Sequence, residues 1–142
     1  MKQKKKLAIA GASGFIGRWF IETYKNDYHI IALSRKKIAP SNSDIEWRTV
    51  DLFSISSSIE ALEGIDYALY LVHSMQPSTR LNQSNFEDTD LLLADNFSRA
   101  AEACSLSHIV YVGGILPKDN LNISKHLQSR YEVERVLGSR QT

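Results

Sequence analysis

Residues 11–17, Gly-Ala-Ser-Gly-Phe-Ile-Gly, follow directly on the apolar run 7–10 and open into an amphipathic stretch, 18–25. Strand, glycine turn and helix in this succession, close to the N-terminus, are the device by which a parallel α/β sheet holds a dinucleotide pyrophosphate. Gly11 allows the sharp exit from the strand. Gly14 lets the main chain approach the phosphates, because a Cβ there would hold them off. Gly17 lets the helix lie close on the sheet. Ser13, Phe15 and Ile16 complete the turn and the first helical positions, where main-chain N–H groups lack intrahelical partners and the helix dipole favours an anion. An ordinary βα turn also carries glycines; the strand before this one and the helix after it argue for the nucleotide-binding form.

The alternation continues along the chain. Strands are predicted at 5–10, 28–33, 45–50, 67–72 and 109–112. The helix after the glycine turn carries Phe15, Ile16, Trp19, Phe20 and Tyr24 at helical spacing. Further helices are predicted at 55–62, with Gly64 as the C′ residue, at 85–105, and at 124–137. Leu93, Phe97, Ala100, Ala101 and Cys104 form the expected buried stripe of the long one. This order implies the α/β class: a doubly wound parallel sheet, strands 3-2-1-4-5, with its ligand crevice at the carboxyl ends of strands one and four. Residues 1–142 are read as one domain. The chain stops after the helix that would lead to a sixth strand, early for a self-sufficient enzyme of this type. Strand five is therefore expected as an open apolar edge, which a homodimer would cover.

The end of strand two bears on the choice of dinucleotide. In this architecture a carboxylate there binds the adenosine ribose hydroxyls and selects NAD(H). Here the residues are Ser34, Arg35, Lys36 and Lys37. A hydroxyl followed by a guanidinium and ammonium groups suits a 2′-phosphate, to which Arg35 can offer two parallel N–H bonds. NADP(H) is the expected cofactor. Asp51 and Leu52 close strand three where the adenine would pass, Asp51 accepting its amino group and Leu52 lying against the ring; a turn or N-cap aspartate is the competing reading. Val72 and His73 end strand four beside the expected pyrophosphate and ribose, His73 as a loop histidine near the cofactor. No metal site is expected.

Composition excludes other classes. A net charge of +1 offers no electrostatic case for nucleic acid or an anionic membrane. The lysines at 2 and 4–6 read as a solvated lead-in. The apolar run after them is too short and too interrupted for a secretory signal, and no stretch is long enough to span a bilayer. The single Cys104 excludes an internal disulfide and suits a reducing cytosol, so a cytoplasmic protein is expected.

The glycine triplet, Asp51-Leu52, residues 110–114 (Val-Tyr-Val-Gly-Gly) and residues 96–101 (Asn-Phe-Ser-Arg-Ala-Ala) resemble the extended and atypical short-chain dehydrogenase/reductases, which have a Rossmann-type fold. The likeness is nearest to NmrA-like NAD(P)H-binding proteins described as nucleoside-diphosphate-sugar epimerases. Residues 72–75, 86–90, 113–114 and 126–134 carry the pattern of a bacterial subgroup of these. The likeness spans almost all of this chain and about the first half of a typical member. It implies an oxidoreductase or epimerase acting on a small molecule. Active members carry a tyrosine that passes a proton to the substrate oxygen. Four residues later a lysine holds the nicotinamide ribose and lowers the tyrosine pKa. Aligned on Glu134, those places hold His126 and Arg130; Asp90 stands near an expected asparagine, and Gly113-Gly114 replaces the usual serine.

Arg130 can still donate to ribose hydroxyls, and His126 can exchange protons near neutral pH. Three functions stay open at this level. One is hydride transfer between NADPH and an unknown small substrate. The second is a non-catalytic dinucleotide-binding module read by a partner, and the third a truncated relic of such an enzyme.

Overall fold

In a computed structural model, residues 2–37, 45–72, 83–113 and 125–140 are described, residues 83–88, 125 and 126 by their backbone alone. The elements run β1 (Lys6–Ala10), α1 (Phe15–Tyr24), β2 (His29–Ser34), β3 (Glu46–Thr49), α2 (Ile55–Leu62), β4 (Tyr67–Tyr70), α3 (Gln83–Ala103), β5 (His108–Tyr111) and α4 (Lys125–Leu137). Five strands form one sheet in the order β3-β2-β1-β4-β5, and every neighbouring pair is parallel. This is the doubly wound α/β arrangement expected from the alternation.

Each strand sends alternate residues to opposite faces, and each face has its own core. Ala8, Ala10, Ile31, Leu33, Ala68 and Tyr70 meet α2, α3 and α4 through Leu62, Phe97, Ala100 and Val133. The alanines of β1 leave room for the Phe97 ring, whose centroid lies 4.9 Å from that of Tyr70. On the other face Leu7, Ile9, Ile30, Ala32, Leu69 and Leu71 pack with Ala12 and Ile21. Two faces covered by helices explain why the inner strands are continuously apolar.

Burial on α1 departs from its apolar spacing. Gly17 and Ile21 are the buried residues of that helix. Phe15, Ile16 and Trp19 are exposed, at 89%, 43% and 57%. Phe20 and Tyr24 are half-buried, their rings 4.6 Å apart. Helical period identifies a stripe, but six of these ten residues are apolar or aromatic and the stripe wraps most of the helix. A glycine allows the closest approach of two backbones, so the contact forms along Gly17 and Ile21.

The stripe of α3 is as expected: Leu93, Phe97, Ala100 and Ala101 are buried. Cys104 donates its thiol to the Ile59 carbonyl at 3.4 Å. Burial, aided by the nearby Glu63 carboxylate, pushes that thiol above its ordinary pKa, which disfavours the nucleophilic thiolate. Gly64 follows the C-cap of α2 with φ +73°, as a C′ glycine does. Asn96 on α3 donates from Nδ2 to the Leu52 carbonyl at 2.8 Å in a buried bond that ties the end of β3 to α3. Asn96→Leu strands that carbonyl and is expected to cost ~1–3 kcal/mol, read as a lower urea midpoint.

β5 closes the sheet on one side, with Val110 and Val112 exposed at 57% and 49%. Among the described residues no strand pairs with its outer edge, and no helix is long and apolar enough to cross a membrane.

Candidate functional site

The three glycines of the first turn meet different surroundings. Gly11 has φ +86°, and a Cβ there would lie 3.0 Å from the Leu71 carbonyl carbon of the neighbouring strand segment. At Gly17 a Cβ would meet the Ala12 oxygen at 2.7 Å and the Gly11 oxygen at 2.8 Å, both immovable main-chain atoms. Gly14 is different. Its φ of −76° and ψ of 175° suit any residue, and a Cβ would reach only the Gly11 oxygen, at 3.4 Å. Two of these glycines are needed to fold the turn; folding makes no such demand at Gly14.

Around Gly14 the chain presents the first main-chain amides of α1. Gly14 N donates to Gly11 O at 3.2 Å, and the helical ladder starts with Arg18 N to Gly14 O at 3.0 Å. The amides of Phe15, Ile16 and Gly17 come before that ladder. No side chain caps α1 among the described residues, and its first turn holds no acidic residue to offset the positive end of the helix dipole. Ser13, Gly14, Phe15 and Ile16 are all exposed. The turn also lies at the topological switch point. β1 and β4 are neighbours, yet the chain leaves β1 towards β2 over one face and β4 towards β5 over the other. Among the described residues no side chain comes within 4 Å of a Cβ built at Gly14.

Beside it, β2 and β3 end together. Ser34 pairs with Thr49, and Val50 N donates to Ser34 O at 2.8 Å. Past this pair Arg35, Lys36 and Lys37 are exposed on one strand and Asp51 on the other. The Ser34 hydroxyl accepts the Lys36 amide at 3.2 Å, which fixes the turn and leaves its own proton to donate. Asp51 is a turn aspartate: its Oδ1 accepts the Phe53 amide at 3.0 Å, while Ser54 caps α2 by accepting the Ser57 amide. Leu52 points inward and is 7% exposed, with its carbonyl held by Asn96. Its side chain is core and does not offer the expected apolar contact to an adenine ring. Phe53, 56% exposed, is an apolar group at this rim that no motif in the sequence singles out. Alternation could have found it, because Val50 and Leu52 are inward and Asp51 and Phe53 outward.

Val72 is half-buried and packs against the core at the end of β4. His73 lies outside the described residues. His126 sits in the first turn of α4, but its side chain is likewise outside them. Arg130, one turn on, is half-buried. It is brought close to Tyr111 at the end of β5. Burial raises the Tyr111 pKa; Arg130 pulls it down, and Asp90 and Glu134 push it up further. That cluster of Asp90, Tyr111, Arg130 and Glu134 was only partly legible, since Tyr111 reads in sequence as an ordinary strand residue. Burial likewise raises the Tyr70 phenol, with Asp90 and Tyr111 adding to it, so Tyr70 stays neutral. A cavity of about 270 Å³ beneath, lined by Ile109, Tyr111, Glu134, Leu137, Gly138 and Arg140, lies along the sheet's open side, two strands from the glycine turn.

Comparison with known proteins places this geometry in context. The family model described as the NAD dependent epimerase/dehydratase family matches residues 7–131. Auxiliary protein GraX of Staphylococcus aureus is 31% identical over 113 residues, covering 78% of this chain and 37% of its own length. UDP-N-acetylglucosamine 4-epimerase from Bacillus cereus superposes with a TM-score of 0.72 at 24% identity, over 93% of this chain and 47% of that one. MoeE5, solved with UDP-glucuronic acid and NAD, superposes with a TM-score of 0.71 at 18% identity, over 94% of this chain and 48% of that one. The chain thus spans about half, or less, of the length of the proteins it resembles.

Proposed function

The chain belongs to the NAD dependent epimerase/dehydratase family, and from that premise we propose that it holds NADP(H), as the dinucleotide-binding part of an oxidoreductase or epimerase. The observation that carries the proposal is a pair of neighbouring anion sites. One is the uncapped start of α1 behind Gly14, which takes the pyrophosphate. The other is the basic turn at the end of β2, which takes the 2′-phosphate. Gly11, Ser13, Gly14, Phe15, Ile16 and Gly17 form the first, acting through main-chain N–H groups. Ser34, Arg35 and Lys36 form the second, and residues 34–37 of that turn include no carboxylate. Asp51 receives the adenine amino group on the Oδ2 oxygen that the turn leaves over. Leu52 has only its main chain to contribute. Val72 closes this end of β4, His73 is the residue that follows it in sequence, and Arg130 donates towards the ribose.

When bound, the nicotinamide supplies hydride exchange. This chain's own residues bind and orient it; His126 is the proposed proton-exchanging group. Substrates of the kind that sugar-nucleotide epimerases bind would have to meet groups in addition to these. A second reading has its own support. On the family resemblance, His126 and Arg130 would stand where active members carry tyrosine and lysine, and the relative at 31% identity is named an auxiliary protein. On that reading the domain binds the dinucleotide without turning over a substrate.

Titration followed by tryptophan fluorescence tests the shared core of both readings, because Trp19 stands one turn beyond the glycine loop. NADPH is expected to bind more tightly than NADH. Arg35→Glu should reduce or reverse that preference, since one charge-assisted bond contributes ~1.5–3 kcal/mol, or one to two powers of ten in affinity. Equal affinities in the unmodified chain would remove the case for the 2′-phosphate. NADPH oxidation by a carbonyl compound, lost in His126→Ala, would favour the enzyme. Binding with no turnover would favour the module.

A further inference from the structure

We propose that Phe53 is the face on which the adenine ring of the dinucleotide stacks, an inference that rests on the reading of this rim as the adenosine end of the site. Three observations converge on it. Leu52 is turned into the core, which leaves its neighbour Phe53 as the large apolar side chain exposed where β3 ends, at 56%. Its amide is bonded to Asp51 Oδ1 at 3.0 Å, so Phe53 and the Asp51 carboxylate belong to one turn. The turn is held from both sides. Ser54 N donates to Asp51 O at 3.0 Å, Asp51 N donates to Ser57 Oγ at 3.0 Å, and the Leu52 carbonyl is anchored by Asn96.

An aromatic ring exposed to water gains little by standing still. This one follows directly on a carboxylate suited to an exocyclic amine, in the turn after β3, and β3 pairs with β2, which the Arg35–Lys36 turn follows. A purine carrying an amino group and attached to a phosphorylated ribose matches those three surfaces in turn: stacking on Phe53, donation to Asp51, charge pairing with Arg35. Ile55, 41% exposed at the start of α2, widens the apolar surface on the same side of Ser54, whose backbone is extended. Stacking would be indifferent to the 2′-phosphate. Phe53 therefore governs affinity for the adenosine half, whereas Arg35 governs the choice between the two dinucleotides.

The test measures binding of NADPH, NADH, 2′,5′-ADP and reduced nicotinamide mononucleotide to the 142-residue chain and its variants. Phe53→Ala should weaken NADPH, NADH and 2′,5′-ADP about tenfold each, within the range for base–aromatic stacking, and leave their ratios unchanged. The mononucleotide, which lacks adenine, should be unaffected. Phe53→Tyr should restore binding, and Phe53→Leu, which keeps apolar bulk without a π-face, should not. Because the ring is exposed, all three variants should melt with the parent chain; if Phe53→Ala does not, Phe53→Leu decides. Full affinity for 2′,5′-ADP in Phe53→Leu overturns the inference while leaving dinucleotide binding intact. Failure of the parent chain to bind any adenine nucleotide overturns both.

Discussion

Gly14→Ala is expected to fold like the parent chain and to lose dinucleotide binding. The backbone at Gly14 lies in a region open to every residue, and the added methyl group would touch only the Gly11 oxygen, at 3.4 Å. Thermal melts of the two proteins should coincide within a few degrees. Binding should not survive. The methyl group would stand where the pyrophosphate meets the first amides of α1. Losing two charge-assisted contacts of ~1.5 kcal/mol each costs about two powers of ten in affinity. Fluorescence or calorimetric titration with NADPH reads this directly. A folded Gly14→Ala chain that binds as well as the parent would mean that the turn holds no phosphate.

Gly17→Val is expected to do the opposite and attack the fold itself. A Cβ at this position would lie 2.7 Å from the Ala12 oxygen and 2.8 Å from the Ala12 Cα. Main-chain atoms of the turn cannot swing aside as a side chain would, so α1 must lift away from the sheet and take Ile21 with it. Overpacking of this kind costs ~1–3 kcal/mol, and valine adds branched bulk to the same clash. For a chain of this size the melting temperature should fall by about 10 °C, seen by circular dichroism. Gly17→Ala should show a smaller fall, because alanine recovers up to ~1 kcal/mol of helix propensity against the same contact. A Gly17→Val chain that melts with the parent would show that helix and sheet do not approach as closely as described.

The contrast between these two variants separates what two glycines of one motif are for. In sequence both are glycine, three positions apart, and the motif assigns each a role by analogy with other chains. Their surroundings distinguish them by physics: Gly17 is surrounded by protein and Gly14 faces outward.

Much of the architecture was legible because it rests on local signals. Alternating apolar segments of strand and helix length predicted each described element to within about three residues, and the α/β alternation predicted the strand order. Chain reversal at Gly11 and the C′ role of Gly64 followed from the conformational freedom of glycine. The basic end of β2 was legible too, since charge at a strand terminus is a property of composition. Asp51 as a turn aspartate was one of two readings, and its bond to the Phe53 amide establishes the turn without excluding a ligand on the other oxygen.

Local pattern determined which segments become strands and helices and in what order they lie, because period and punctuation are carried by neighbours along the chain. Tertiary packing decided which of two neighbouring residues faces the core and which the rim. Leu52 and Phe53 are both apolar in sequence; in the fold Leu52 is buried, its carbonyl bonded by Asn96, 44 residues away, and Phe53 stands at the rim. The same holds for α1, where Phe15 and Trp19 look like core and stand in solvent because Gly17 makes the closer contact. Burial is a relation between distant segments, and closest approach, rather than hydrophobicity, settles it.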